Sequence, residues 1–569
     1  MIDTHDTTHL LSWITLSPLI GMVAILLTPR AKSEVIKTIA AAFTGIPLVL
    51  AAWMYFFQFQ VGAAGYQFHE VFDWVKTFHI QYQVGVDGLS APLVLLNCLL
   101  LFVAVFSSWN VEKGVKGYFL LLLLLEVGIN GVFVSLDLFL FYVYWELMLL
   151  PMYFLIGIWG GPRREYAAIK FFLYTLAGSV LILIAMIAMY LSSSDDPAQR
   201  TFSLVKLAQI GQGVGGQHWD SPPALLGMTF QHWAFLFMFI GFAIKVPVFP
   251  FHTWLPDAHV EAPTAISVIL AGILLKLGGY GLMRVNMTVF PDVMWQNGTT
   301  TSWATGLAVL GTINIVYGAF VAMAQTDFKK LVAYSSVAHM GFVLLGLAAM
   351  NEQGLSGANL TLFNHGTSSA MLFLLVGVIY ERTHDRTIAK MGGLAARVPL
   401  WATVMGFFVF ASAGLPGLSG FVGEFLSMLG TFVVNPPATA VAAFAMILGA
   451  AYLLFMYQRV VFGEVSAFLE NLGGHLTDMT PIEILTLVPL GTLIVVFGVQ
   501  PGLLLELIQG SVDEVLVAAG TGQAIPIPTE VVVIGLALII VLVVARTIAA
   551  TLGRRRETSV VAAESGGAS

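Results

Sequence analysis

The sequence predicts an all-α polytopic membrane protein. Of its 569 residues, 58% are hydrophobic and only 10% are charged, and the mean hydropathy is +0.87. An ordinary soluble domain carries about 25% charged residues. Continuous apolar runs long enough to cross a bilayer as helices recur along almost the whole chain. The composition therefore excludes a soluble globular protein, a disordered chain and a nucleic-acid binder, and the lack of alternation argues against a β-barrel.

The apolar runs predict fifteen spans. The longest hydrophilic stretch, 192–228, is too short for a catalytic domain, and the sequence shows no nucleotide-binding loop. Residues 557–569 are predicted to form a short disordered tail. The predicted spans lie at about 10–29, 36–57, 91–109, 117–136, 138–158, 168–191, 232–251, 261–283, 303–324, 330–349, 361–380, 400–432, 438–462, 482–501 and 529–551.

Lysine and arginine residues predict the orientation of the spans, because cytoplasmic connections carry an excess of them. With the N-terminus outside, the inner connections and the C-terminal tail hold nineteen of these residues. The outer side then holds four, namely Lys76, Arg200, Lys206 and Arg284. A miscounted span would remove this asymmetry, so it supports the count as well as the direction. The C-terminus is predicted inside.

The single cysteine limits the redox chemistry of the chain. Cys98 lies in an apolar run. One cysteine cannot form an internal disulfide, a cysteine-ligated iron–sulfur cluster or a zinc knuckle.

Two lysines lie inside predicted spans. Lys245 is in LFMFIGFAIKVPVFPFHTW and Lys276 is in ISVILAGILLKLGGYGL, each with apolar residues on both sides. A lysine near mid-membrane costs at least about 2.5–3.5 kcal/mol and usually faces a bundle interior or a wet cavity. Snorkelling to the interface is the alternative, and it is awkward for Lys276, which lies deep in its span. We expect both lysines to be functional.

The spans also hold carboxylates and imidazoles. Glu146 lies in YVYWELMLL and Glu424 in GFVGEF, while His339 and His365 lie in SSVAHMGF and FNHGTSS. A membrane histidine is more often a helix–helix hydrogen-bonding partner than a proton carrier, but a buried glutamate suggests a cationic partner or a relay. For Glu126, a protonated carboxyl bonded to a neighbouring helix suffices. The titratable groups together indicate a proton path, in which moving a carboxylate away from a lysine releases its proton.

Two of the predicted spans should be broken. Pro247 and Pro250 follow Lys245 and remove helical hydrogen bonds, and the run AGLPGLSGFVGEF places a glycine- and proline-rich stretch just before Glu424. The interrupted spans are five apart in order, each with one charged residue beside the break. Spans 4–8 (117–285) are therefore predicted to match spans 9–13 (303–463) as inverted repeats. Residues 1–116 precede them, with the C-terminal helices and tail at 464–569.

A cluster of possible metal ligands follows the first break. His252, Asp257, His259 and Glu261 are residue types that bind zinc. The segment, however, predicts a connection followed by a helix start at Pro263, without the helical ligand spacing of a zinc motif. We expect no metal here.

Three long motifs together identify a family. The run KVPVFPFHTWLPDAHVEAPTAISVILAGILLKLGGYG at 245–281 resembles the core signature of the antiporter-like proton-translocating subunits of respiratory complex I. YQVGVDGLSAPLVLLN and DFKKLVAYSSVAHMGFVLLG are similar to further hallmarks of that family. GFVGEF, with glutamate at 424, resembles the M-type members of bacterial NADH–quinone oxidoreductase, whereas sister subunits tend to have lysine there. The resemblance covers about residues 10–510.

The resemblance implies fourteen helices with two inverted five-helix repeats and one proton channel. The span at 529–551 would then be an additional C-terminal helix. Carried over residue by residue, the resemblance implies that Glu146 is the carboxylate partner of Lys245, and that Lys245 is the switch lysine of the first half-channel.

The resemblance also assigns roles in the second half of the route. Lys276 would connect the two half-channels, and Glu424 would be the terminal carrier of the second. His339 and His365 would lie on the polar axis between them. We expect these residues to act without a cofactor or metal in this subunit, with flavin mononucleotide and iron–sulfur clusters in partner subunits.

The expected activity is proton translocation driven by quinone reduction elsewhere in a complex. The expected partners are other membrane subunits, including sister antiporter-like subunits, and lipids. The expected location is the bacterial inner membrane. Two alternatives remain open at the level of sequence: a subunit of a multi-chain Na⁺/H⁺ antiporter, and the pump module of a membrane-bound hydrogenase.

Overall fold

The computed structural model describes residues 8–63, 65–214, 219, 227–296 and 298–520. The predicted span at 529–551 and the tail at 557–569 lie outside the described residues. The α-helices, numbered in chain order, are α1 (Leu10–Leu27), α2 (Ser33–Trp53), α3 (Ala91–Ser107), α4 (Val115–Val134), α5 (Leu138–Leu147), α6 (Leu149–Trp159), α7 (Arg164–Ser192), α8 (Leu204–Gly211), α9 (Phe230–Lys245), α10 (Trp254–Glu261), α11 (Thr264–Ile269), α12 (Leu275–Gly281), α13 (Pro291–Met294), α14 (Ser302–Met323), α15 (Phe328–Ala349), α16 (Glu352–Thr383), α17 (Pro399–Ser412), α18 (Ser419–Val434), α19 (Pro436–Val461), α20 (Ala467–Leu472), α21 (Pro481–Val499) and α22 (Gly502–Ala518).

Two small hairpins interrupt this helical pattern. The first pairs β1 (Gln67–Val75) with β2 (Ile80–Val86) in an antiparallel register, between α2 and α3. The second pairs β3 (Trp295–Gln296) with β4 (Thr299–Thr300). The sequence analysis predicted neither hairpin, although Ile80–Val86 shows the alternating apolar pattern of a strand.

Within the described residues, eleven helical stretches are long and apolar enough to cross a membrane. Four shorter apolar helices, α3, α9, α17 and α18, accompany them. These helices correspond in position to the first fourteen predicted spans. A mostly helical membrane architecture is therefore confirmed, while the number of crossings and the inverted repeat stay predictions.

The helices differ strongly in burial. The stretches Thr264–Met287 and Glu352–Thr383 are completely buried inside the molecule over their most apolar window, and Phe328–Ala349 is almost so. By contrast, fewer than half of the corresponding residues are buried in Leu10–Leu27 and Pro481–Val499. The exposed apolar faces of these outer helices are those a lipid environment would cover. The polar residues of interest lie on the central helices.

The predicted break after Lys245 is present. Helix α9 ends at Lys245, and helical structure resumes only at Trp254. Proline at 247 and 250 cannot donate backbone hydrogen bonds, so the helix cannot continue through them. The segment 254–261, predicted to be a connection, is itself helical and forms α10.

A second break divides the long predicted span at 400–432. Helix α17 ends at Ser412 and α18 begins at Ser419. Between them, Gly414 and Gly417 have φ values of 76° and 92°, which glycine adopts readily and other residues rarely do. The glycines that marked this run in the sequence thus allow the chain to turn there. Helix α22 follows the second predicted repeat, and the sequence analysis did not predict it as a separate element.

Candidate functional site

Lys245 lies at the end of α9 with its ammonium enclosed by aromatic rings. The side chain is 1% exposed. Its Nζ atom lies 5.0 Å from the Trp145 ring centroid and 5.9 Å from that of Phe171. Nζ has no hydrogen-bond partner among the described residues. Cation–π attraction therefore supplies close stabilisation of this charge.

Glu146 lies beside this pocket, one residue after Trp145. It is half-buried, and its Oε1 atom is buried without a hydrogen-bond partner. The carboxylate interacts electrostatically with Lys245 and with the Ser179 hydroxyl. No ion pair within 4.0 Å joins Glu146 to Lys245. The two groups thus interact electrostatically without being in contact.

Lys276 is fully buried and points to a histidine of the longest helix. A π-helical turn, Leu270–Leu274, precedes it. Such turns free backbone carbonyl groups and occur often at functional sites. The Lys276 ammonium donates to the Ala271 carbonyl oxygen, and its Nζ lies 2.7 Å from Nδ1 of His365. Nε2 of His365 has no partner among the described residues.

The His339 ring lies next to that of His365. The two imidazole centroids are 5.5 Å apart. Nδ1 of His339 lies 2.5 Å from Oε1 of Glu424, so this buried pair shares a short, strong hydrogen bond. On its other side, Nε2 of His339 lies 3.3 Å from the Ser412 hydroxyl at the second break.

Two small cavities meet at Glu424. His339, Ser412 and Glu424 line both of them. One extends between α16 and the second break, and the other extends toward α19. The remaining lining residues include Thr361, Asn364, His365, Ser368 and Gly420 in the first cavity and Ile315, Phe342, Met446, Gly449 and Tyr452 in the second. The carboxylate thus has polar space on one side and a mostly apolar space on the other.

The six predicted site residues form two groups. Lys276, His365, His339 and Glu424 make a continuous series of close contacts across α12, α16, α15 and α18. Glu146 and Lys245 lie in a separate group at the first break. Helices α9 and α12, which carry Lys245 and Lys276, are in direct contact. Gly278 of α12 lies so close to α9 that an added Cβ atom would be 2.6 Å from the Phe242 carbonyl oxygen.

The two carboxylates among the possible metal ligands pair with basic side chains. Lys170 binds Asp257 at 2.7 Å, and Arg163 lies 3.7 Å from both Asp257 and Glu261. Among the described residues, no group of three histidine, cysteine or acidic side chains is placed to hold a metal ion.

The two histidines of that cluster also lie apart. Nε2 of His252 lies 3.2 Å from the Tyr317 hydroxyl, and the His259 ring stacks on Phe373 at 4.4 Å. His259 is fully buried, and neither of its ring nitrogens has a hydrogen-bond partner within the described ranges.

Several polar residues of this region were missed in the sequence. Lys329, counted there as part of an inner connection, lies in α15 with its Nζ 2.6 Å from the Ala262 carbonyl oxygen. Asn364 donates to the Ser419 carbonyl oxygen at 2.7 Å, at the start of α18. Lys329 lies beside Lys330 in DFKKL, where it resembles a charge of a connection, and Asn364 directly precedes His365.

Glu126 lies apart from both groups. It is completely buried in α4, and neither carboxylate oxygen has a hydrogen-bond partner in the described part of the chain. The helix–helix hydrogen bond expected for it from the sequence is not seen. The Cys98 thiol interacts electrostatically with this carboxyl and contacts Asn130 of α4.

Comparison with known proteins places the chain in a family. The family model described as NADH:quinone oxidoreductase/Mrp antiporter, TM matches residues 135–472. NADH-quinone oxidoreductase subunit M of Rhodobacter capsulatus is 44% identical over 514 residues, covering 89% of this chain and 96% of that protein.

Solved structures share the fold of this chain. A chain of respiratory complex I from Thermus thermophilus has a TM-score of 0.77 at 29% identity, over 90% of this chain and all of that one. A chain of the Mrp complex from Dietzia sp. has a TM-score of 0.74 at 22% identity, over 90% of this chain and all of that one. The chain belongs to the NADH:quinone oxidoreductase/Mrp antiporter transmembrane family.

Proposed function

We propose that this protein is a proton-translocating membrane subunit of an NADH–quinone oxidoreductase. The observation that carries the proposal is the buried series from Lys276 through His365 and His339 to Glu424, whose neighbouring groups are 2.7 Å, 5.5 Å (ring to ring) and 2.5 Å apart. An ionisable side chain costs free energy inside a membrane, so such residues buried in spans usually belong to an ion pathway.

The route begins at the first break. When Glu146 approaches Lys245, the ammonium form is stabilised, and when it withdraws, the desolvated ammonium tends to release its proton. The Lys276–His365 pair receives the proton, and His339 passes it to Glu424. The cavities at Glu424 offer an exit. Movement of the carboxylate, rather than a bound cofactor, drives each release.

The subunit itself carries out no redox step in this proposal. Flavin mononucleotide and iron–sulfur clusters belong to partner subunits, and quinone reduction there supplies the energy. Sister antiporter-like subunits and lipids cover the exposed apolar faces of the outer helices. The location is the bacterial inner membrane.

The proposed orientation places the N-terminus outside and the C-terminus inside. It is supported by the excess of lysine and arginine on the predicted inner side. The ion pairs agree with the span count, since each joins residues near one predicted membrane surface. Arg386 pairs with Asp327 and Arg382 with Glu483 on the inner side. On the outer side, Arg284 binds Asp87 at 2.5 Å.

The antiporter alternative has weaker support. The Mrp complex chain shares the fold, but its 22% identity supports no more than that. The relative at 44% identity is an NADH-quinone oxidoreductase subunit. The M-type glutamate at 424 points the same way.

Removing either member of the first group should stop pumping. Loss of Glu146 removes the carboxylate that acts on Lys245, and loss of Lys245 removes the ammonium that is to release the proton. We expect Glu146→Gln and Lys245→Ala each to abolish proton uptake driven by NADH in inside-out vesicles, measured with a pH-sensitive dye and normalised to assembled complex.

Lys113→Ala is the matched control, since Lys113 is an exposed lysine on the inner side. It should pump normally. Normal pumping by Lys245→Ala at normal assembly would contradict the proposed function.

A further inference from the structure

The break beside Lys245 is held by a residue of the second predicted repeat. Asn314 lies in α14 and is fully buried. Its Oδ1 accepts a hydrogen bond from the Phe249 backbone N–H at 2.7 Å, and its Nδ2 donates to the Pro247 carbonyl oxygen at 3.1 Å. Both partners are backbone groups of the non-helical segment between α9 and α10. In a membrane interior, such groups must find a partner from a neighbouring element.

A second residue of the same helix face adds to this contact. Tyr317 follows Asn314 by three residues, so the two side chains point the same way from α14. The Tyr317 ring lies 5.3 Å from that of Phe249, and its hydroxyl meets His252 at 3.2 Å. The broken segment is therefore fixed to α14 by three polar contacts and an aromatic one.

Helix α14 also packs closely against α15, the helix that carries His339. A Cβ atom at Gly311 would lie 2.8 Å from the Gly341 carbonyl oxygen, and one at Gly318 would lie 2.7 Å from the Ala338 nitrogen. The backbones of α14 and α15 thus touch over two turns, on both sides of His339. Such close packing transmits a displacement instead of absorbing it.

We propose that Asn314 is a positioning residue that couples the break beside Lys245 to His339, so that the two halves of the proton route move together. A shift of the 246–253 segment pulls α14 through the Asn314 amide. Helix α15 follows through its glycine contacts, and the 2.5 Å contact of His339 with Glu424 changes. This inference rests on the proposed function and adds the means by which the two groups communicate.

The local contact can be tested without any pumping assay. Asn314→Leu keeps the size of the side chain and removes both hydrogen bonds. In hydrogen–deuterium exchange of the purified complex, we expect the Phe249 amide and its neighbours to exchange on the order of tenfold faster in this variant. Thr312→Val is the control, because the Thr312 hydroxyl donates only to Ala308 of its own helix.

Asn314→Ala is a second variant that removes both hydrogen bonds without adding apolar bulk. Its exchange should be as fast as that of Asn314→Leu, and it carries the test if Asn314→Leu fails to assemble. Unchanged exchange in a well-assembled variant would overturn the role of Asn314 at the break.

The coupling to His339 needs a second measurement. Pumping rates of Asn314→Leu, His339→Gln and the double variant form a double-mutant cycle. We expect the double variant to pump no more slowly than the slower single variant, because both act on one coupled step. If the two losses multiply instead, the coupling is overturned while the local contact stands. Failure of the proposed function is distinguishable, because it would show as normal pumping in Lys245→Ala.

Discussion

At the scale of single residues, the decisive feature is the contact between His339 and Glu424. The two side chains come from α15 and α18 and meet at 2.5 Å in a site that is almost closed to solvent. One proton in that contact can belong to the imidazole or to the carboxyl. Two cavities beside Glu424 give the proton space to leave. A carboxyl is thus placed where a terminal carrier is needed.

Glu424→Gln tests this position. The amide keeps the shape and can hydrogen bond, but it cannot ionise. We expect proton uptake by vesicles or reconstituted complex to fall sharply, by about 10²-fold or more, while the amount of assembled complex stays normal. Glu424→Lys, which imitates the sister subunits, should give partial function at most. A Glu424→Gln complex that pumps like the wild type would place the exit elsewhere.

The second prediction at this scale concerns the former metal candidates. His252 and His259 have separate aromatic partners, Tyr317 and Phe373. We expect elemental analysis of the purified complex to show no zinc or iron that disappears in the His252→Ala/His259→Ala double variant. A stoichiometric metal lost only in that variant would contradict the prediction.

At the scale of elements, each broken helix is held by asparagine from another helix. Asn314 binds backbone groups of the first break, and Asn364 binds the Ser419 carbonyl at the second. The second break is also packed against α21, where Gly498 leaves no space for a side chain beside Gly417 and Leu418. The position of Glu424 therefore depends on a distant glycine.

Gly498→Ala tests this dependence. A Cβ atom at this position would overlap the backbone of Gly417 and Leu418, so the break has to shift. We expect a loss of stability of about 1–3 kcal/mol and slower pumping. Gly306→Ala is the matched control in another helix interior, with no heavy atom within 4 Å of the added carbon. It should be neutral or slightly stabilising in thermal unfolding. Equal behaviour of the two variants would contradict the packing argument.

The sequence predicted the elements better than their contacts. Proline after Lys245 and glycine before Glu424 located both breaks, because these residues limit the backbone locally. The helical character of 254–261 was missed, since it depends on tertiary neighbours. The β1–β2 hairpin was missed although the alternation of Ile80–Val86 indicates a strand. Asn314 sits in an apolar run, and nothing nearby in the sequence indicates that its partners lie more than sixty residues away.

For the site too, the sequence predicted the residues better than their contacts. The ionisable residues could be found because charge inside a span is costly. Their order could not be derived, and it came from the family resemblance. The aromatic enclosure of Lys245 by Trp145 and Phe171 could not be anticipated, because it needs the relative rotation of three helices.

At the scale of the whole molecule, charged residues gather at the predicted membrane surfaces. Asp385, in the connection after α16, shows how such a surface stabilises charge. Partial burial alone would raise its pKa, but hydrogen bonds from Lys390 and Thr387 together lower it to about 2. The contribution of this carboxylate is therefore present at neutral pH and is lost only as the pH falls below about 4 toward 2.

The orientation can be tested with a membrane-impermeant maleimide. The native Cys98 is buried and should not react. Lys76→Cys and Lys113→Cys place exposed thiols on opposite predicted sides. We expect Lys76→Cys to be labelled in right-side-out vesicles and Lys113→Cys only in inside-out vesicles. The reverse pattern would invert the topology and exchange the entrance and exit of the route.

The contact between Lys276 and His365 also sets how many protons the middle of the molecule can hold. Two nitrogens 2.7 Å apart, away from solvent, cannot both be fully protonated, because one of them has to accept the shared hydrogen. The pair therefore carries one positive charge or none. In the proposed route, a second proton would not arrive before the first has left toward His339. The pair would then pass one proton at a time and prevent a continuous leak between the two sides of the membrane.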